Sequence, residues 1–226
     1  MFTINNLSVS YGRKSVLRNL SLEIPEQSIT GIAGYNGAGK TTLLNAMYGL
    51  FRCAKDCLKH NGTPVTMKEI AFLEAETYFY SGITGRDWLS FFMRKNRKFD
   101  YEKWSSLFSL PLDEAVADYS LGMKKKLALL AVLSLDRKFI ILDEPFNSLD
   151  LESVTMLEII LKRLAEKGST IIVTSHMIEV LMSCCDSICI LRDGSITGRY
   201  PKEQFGSLSD SIREEVSARC GDILDF

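Results

Sequence analysis

The chain has 226 residues, 46% hydrophobic and 24% charged, which suits one large α/β domain and is short for two independent cores. A formal net charge of −1 gives no global field for holding nucleic acid or anionic lipid, so no nucleic-acid partner is expected. Six cysteines, loosely grouped as Cys53/Cys57 and Cys184/Cys185/Cys189, lack C-x-x-C spacing, and two histidines are too few to rescue a zinc site; reduced thiols of a cytosolic protein are expected instead.

The N-terminal Met1 to Asn6 lacks the basic-then-apolar layout of a signal peptide. Phe2 to Ser10 alternates as a half-buried strand does, and Leu20 to Ile24 reads as its partner. Ile29 to Ala33 is a short apolar strand running into glycine-rich sequence at Gly34, with a helix from Lys40 to about Gly49. Lys68 to Leu73 reads as another strand. From about Ser81 to Ala131 strand patterns vanish, and Trp88, Leu89, Phe92, Trp104, Leu107 and Phe108 predict small packed helices. Phe139 to Leu142 is continuously apolar, the mark of a strand buried on both faces. A helix from Leu151 to Lys167 closes at Gly168. Strand Thr170 to Thr174, helix Met177 to Cys184, strand Ser187 to Arg192 and the Asp193-Gly194 turn follow. Alternation at this spacing predicts a mainly parallel sheet with right-handed crossovers. After Tyr200 the tail is polar, with one amphipathic helix expected over Ser209 to Ala218. The most apolar stretch, Leu127 to Leu133, is too short to span a bilayer, so spanning helices would have to come from another chain.

Two motifs carry chemistry. Gly34-Tyr35-Asn36-Gly37-Ala38-Gly39-Lys40-Thr41-Thr42 satisfies G-x-x-x-x-G-K-[ST] between a strand and a helix. Glycines let main-chain N–H groups turn inward on phosphate oxygens, and the helix offers its positive end to the same anion. Lys40 can reach the β- and γ-phosphates of ATP, and the Thr41 hydroxyl can ligate Mg²⁺. The second motif is the apolar strand ending in Asp143-Glu144. Open parallel sheets bind ligands at the carboxyl ends of their strands, so both acids should emerge beside the loop. Asp143 is expected to hold Mg²⁺ and Glu144 to act as general base on water. Alone, the two acids would also suit a solvated strand end, and both motifs together fit many phosphate-loop enzymes.

The sequence between and after them is more discriminating. Tyr119-Ser120-Leu121-Gly122-Met123, followed by Lys124, Lys125 and Lys126, resembles the signature of ABC ATPases. Asn147-Ser148-Leu149-Asp150 resembles their D-loop, His176 their switch histidine, and Tyr11 the aromatic that stacks on adenine. Order and spacing match across essentially the whole chain, and Ser-Leu-Gly-Met is similar to short bacterial export-type members. The resemblance implies a P-loop NTPase (RecA-like) core with a mainly parallel sheet, an N-terminal antiparallel β subdomain and an inserted helical subdomain. Within the single domain 1–226, residues 1–80 and 132–200 would be the core with its β subdomain, 81–131 the helical subdomain, and 201–226 a tail. It further implies an ATPase coupled to transport, with export expected, working on the cytoplasmic face of the cell membrane with a separate integral permease. A second ATPase subunit, in a homo- or heterodimer, would offer its own Ser120 and Gly122 to the γ-phosphate held by the first copy. The family's Q-loop glutamine falls on Ala75, which cannot contact metal through its side chain. The aromatics Tyr78-Phe79-Tyr80 either line the permease cleft or pack in the core. Lys124 to Lys126 are expected to form a solvated face, and His60 to be a surface residue.

Overall fold

The computed structural model describes residues 1–51, 57–93, 96 and 98–224, and Cys53 lies outside them. Phe2–Tyr11 (β1) and Lys14–Ile24 (β2) pair antiparallel, so the second strand starts six residues before the expected Leu20. Ile29–Ala33 (β3) is buried throughout. Lys40–Tyr48 (α1) opens after Gly39 and closes at Gly49, whose N–H donates to the Asn45 and Ala46 carbonyls. Leu58–His60 (β4) and Thr63–Pro64 (β5) are two short strands beyond those the sequence predicts. A 3₁₀ turn with a Thr66–Glu69 capping box precedes Ile70–Leu73 (β6), which shortens the strand expected from Lys68.

Three helices follow, Gly85–Met93 (α2), Tyr101–Leu107 (α3) and Leu121–Leu133 (α4). Phe139–Leu142 (β7) leads to Leu151–Glu166 (α5), whose N-cap Asp150 accepts from the Ser153 N–H at 2.8 Å. Then come Thr170–Ser175 (β8), Ile178–Cys184 (α6), Ser187–Arg192 (β9), Ser195–Pro201 (β10) and Phe205–Leu224 (α7). β10 has no counterpart among the strands that the sequence predicts, and the terminal helix is longer than the expected Ser209 to Ala218. Phe205 and Leu208 are buried, which draws the start of that helix onto the core.

The main sheet has the order β10-β9-β3-β8-β7-β6, parallel except where β10 turns back on β9. Its central strands feed both faces alternately, as period-two geometry requires. Ile140, Leu142, Ile171 and Val173 join the core beneath α4 to α6, while Phe139, Ile141 and Ile172 join the core beneath α1 and the small sheet β2-β1-β4-β5. Two covered faces explain the continuous apolarity of β7 and β8.

His60 departs from its expectation. Its side chain is 18% exposed, its ring lies edge-on to Phe139 at 4.9 Å, and Nε2 is 2.6 Å from Glu26 Oε1. Cys57 is buried, as are the thiols of Cys184, Cys185 and Cys189; burial pushes the Cys185 and Cys189 pKa values up, the latter to about 11. Among the described residues no helix is long and apolar enough to cross a membrane.

Candidate functional site

The carboxyl ends of β3, β7 and β8 bring the site together, since these three strands are adjacent and parallel. β3 delivers the loop Gly34 to Gly39. Gly39 sits at φ 108°, a left-handed conformation that side chains resist, and its N-cap position has no side-chain acceptor. The first turn of α1 therefore leaves its N–H groups for an anion. Tyr35, Asn36 and Gly37 are exposed along the loop, Ala38 donates its N–H to the Tyr35 carbonyl at 3.1 Å, and Thr41 is exposed while Thr42 is buried.

Lys40 is buried, with Nζ donating to the Gly34 carbonyl at 2.8 Å and lying 3.3 Å from Glu144 Oε1. The other carboxylate oxygen of Glu144 receives the His176 N–H at 3.3 Å and lies 3.1 Å from His176 Nδ1. Glu144 has φ 47°, a strained backbone for a non-glycine residue, and its N–H donates to Thr174 Oγ1 at 2.9 Å. The same Thr174 hydroxyl donates to Asp143 Oδ1 at 2.7 Å. Asp143 is fully buried, and its Oδ2 has no partner among the described residues. A buried carboxylate oxygen left open is costly unless something cationic completes it. Asp143, Thr41 and the phosphate loop thus fit a hard divalent cation held with a polyphosphate. Thr174 was not singled out from the sequence, although its place ahead of Ser175-His176 at a strand end was the available signal.

Tyr11 ends β1, more than half exposed, with its ring edge-on to Phe51 at 5.5 Å. From the turn beyond Tyr11, β2 runs back to Val16 and Leu17, which pack beside Gly39.

The signature segment opens α4. Ser120 is exposed as N-cap, its Oγ accepting from the Met123 N–H at 3.2 Å. Gly122 lies against the Asn147 to Asp150 segment of the same chain: a Cβ there would stand 2.6 Å from the Ser148 carbonyl oxygen. The three lysines are not the solvated face expected of them. Lys124 Nζ donates to the Ala117 carbonyl at 3.3 Å, Lys125 Nζ to the Ala75 carbonyl at 2.8 Å, and Lys126 Nζ pairs with Asp150 at 3.1 Å. Burial pushes the Lys125 pKa down, opposed by the charges of Asp143 and Glu144. Asp150 is held well below the carboxylate range by the Ser153 N–H and then by Lys126.

Of the aromatic run, Phe79 packs on Trp88 at 4.8 Å, while Tyr78 and Tyr80 are exposed and edge-to-face at 5.5 Å. Neither exposed tyrosine lines the nearby groove of about 300 Å³, whose walls include Tyr48, Phe72, Thr77, Trp88, Phe92 and Ala128. Trp88 Nε1 is buried without an acceptor among the described residues. A larger cavity, about 560 Å³, joins Tyr35, Asn36 and His176 to Ile190, Leu208 and Ile212, so α7 borders the phosphate loop.

A parallel sheet that presents a glycine loop with its lysine, two strand-end acids and a histidine around one point defines a nucleotide-hydrolysing phosphate-loop protein. Residues 17–147 match the family profile described as ABC transporter. The chain belongs to that family, as an ATP-binding subunit with ATPase activity. It is 31% identical to the putative ABC transporter ATP-binding protein AlbC of Bacillus subtilis (strain 168), over 93% of this chain and 95% of that protein. Ribose import ATP-binding protein RbsA of Oceanobacillus iheyensis is 28% identical over 84% of this chain and 42% of its own length. Among solved structures, one titled as an ATP-binding subunit of an ABC transporter superposes with a TM-score of 0.80 at 24% identity, covering 91% of this chain and 93% of that one.

Proposed function

We propose that this subunit works as a pair, each ATP held between the phosphate loop of one copy and Ser120 and Gly122 of the other, and that closure of the pair drives a separate membrane permease from its inner face. The observation that carries the reading is the cluster of Lys40, Glu144, His176 and Asp143 at three adjacent strand ends. Glu144 takes the proton of the attacking water, and His176 holds its second oxygen in place. Lys40 exchanges its contact with Glu144 for the γ-phosphate, which frees the base as substrate arrives. Thr41 and Asp143 would hold Mg²⁺, whose bound charge offsets that of the phosphates. Tyr11 stacks on the adenine, and the loop residues from Gly34 to Thr42 cradle the phosphates.

Pairing is supported by large apolar side chains left exposed around the site: Tyr35 at 54%, Leu121 at 74% and Leu151 at 83%. These flank the phosphate loop, the signature and the end of the 147–150 segment. Permease docking is supported by the aromatic groove between α1, β6, α2 and α4, lined by Tyr48, Phe72, Trp88 and Phe92. The helices between residues 81 and 131 then form the transmitting subdomain, and 201–226 an appendage on the core. For direction, the Ser120-Leu121-Gly122-Met123 resemblance supports export, whereas the name of RbsA carries import.

Steady-state hydrolysis by wild type and Glu144→Gln tests the site. Loss of a positioned general base lowers kcat by about 10²–10⁴-fold while ATP still binds. Equal turnover by the two proteins contradicts the role given to Glu144. Uptake or extrusion by vesicles containing the co-purified permease decides direction.

A further inference from the structure

We infer that Lys125 is a positioning residue that pins the loop after β6 to the signature helix, joining the two nucleotide sites of a pair through one chain. Lys125 stands in the second turn of α4 at 8% exposure. Its Nζ donates to the Ala75 carbonyl at 2.8 Å and lies 3.5 Å from the Glu74 carbonyl. Two residues before Ala75, the Leu73 carbonyl accepts the Asp143 N–H at 2.9 Å. A short path therefore runs from α4 through one ammonium, the loop residues Ala75 and Glu74, and Leu73 at the end of β6, to the buried acid of the neighbouring strand end. On the other side of the acids, Lys126 ties α4 to Asp150, and Gly122 packs on the Ser148 carbonyl.

The ammonium earns its place through bonds, because a methionine would fill the same volume without taking a charge out of water. Its position answers a gap in the loop itself. Ala75 stands where the family resemblance calls for a glutamine, so the loop has no side chain of its own to hold it there. A donor reaching down from α4 to the main chain of residue 75 supplies that hold and makes loop and signature helix move together. This rests on the paired arrangement proposed above, in which Asp143 and Glu144 serve one ATP while Ser120 and Gly122 of the same chain serve the other. A rigid link between the two groups then lets the state of one ATP bias the other.

Two measurements on the full chain test this, using wild type, Lys125→Met and Lys125→Arg. The first is hydrogen exchange without nucleotide. Methionine should speed exchange of the amide that reports on the loop, the Asp143 N–H held on the Leu73 carbonyl, at least tenfold while those of Phe139 to Ile141 stay unchanged, and arginine, which can donate to the same loop carbonyls, should hold it near wild type. The second is turnover against Mg-ATP concentration. Methionine should lower kcat at least fivefold and flatten any sigmoid dependence, with half-saturation within twofold, because Lys125 makes no part of its own phosphate cradle. Arginine should recover most of both. Lys125→Ala, which also removes the donor but leaves room for water at the carbonyls, takes the place of methionine if that variant does not melt cooperatively. Unchanged loop exchange overturns the tether, and a loosened loop with wild-type kcat overturns its role in coupling. Failure of the underlying paired reading would look different: wild type itself would turn over without pairing, while the exchange result would still decide the tether.

Discussion

Replacing Thr174 with valine tests how the acidic strand end is held. The threonine is fully buried, and its one hydroxyl donates to Asp143 at 2.7 Å and accepts from the Glu144 N–H at 2.9 Å. Valine preserves the shape and removes both bonds. A hydrogen bond to a charged group contributes about 1.5–3 kcal/mol, and the amide left without a partner adds about 1 kcal/mol. Because a single hydroxyl serves both, the two losses overlap, and the expected total is about 3 kcal/mol. In a chain of this size that lowers Tm by about 6–12 °C. Catalysis should suffer as well, since the strained backbone at Glu144 depends on that amide contact, and displacement of the base by a fraction of an ångström costs about 10–100-fold in kcat. Thermal melting and steady-state turnover, side by side with wild type, measure both effects. A loss under about 1 kcal/mol with kcat within twofold would refute the reasoning.

Gly122→Ala puts a methyl 2.6 Å from the Ser148 carbonyl oxygen, a contact that must open. It should cost about 1–3 kcal/mol in urea unfolding, as overpacking does, and reduce turnover even though the phosphate loop is untouched. At Glu26, the Met1 amino group first, and then His60, hold the pKa down to about 2 from the usual 4.5. The folded value lies below the unfolded one, so this group's contribution is complete above about pH 4.5 and fades as pH falls towards 2. Glu26→Gln should therefore melt below wild type at pH 7, with a gap that narrows from pH 4.5 downward; a gap that widens in acid contradicts the assignment.

The parts of the fold that were legible in the sequence are those fixed by local pattern. Ile29–Ala33, Phe139–Leu142 and Ser187–Arg192 have the bounds expected of them, because each is a mainly apolar run ended by glycine or acidic turn residues. β10 escaped because it is polar, half exposed and broken by Gly198, and it owes its existence to pairing with β9. The small strands β4 and β5 are too short to show a period. Among site residues, the glycine loop and the strand-end acids declare themselves by spacing. The lysines of α4 do not, because a long stem can lead either to water or to a carbonyl fifty residues away in sequence. The open oxygen of Asp143 and the left-handed turn at Glu144 are likewise products of tertiary packing.

The paired arrangement is tested most directly by the mass in solution of Glu144→Gln with and without Mg-ATP. Light scattering should give the single-chain 25.4 kDa without nucleotide and twice that value with it, and Ser120→Arg in the same background should abolish the doubling. A single-chain mass at saturating Mg-ATP, or doubling that is indifferent to Ser120, would contradict it.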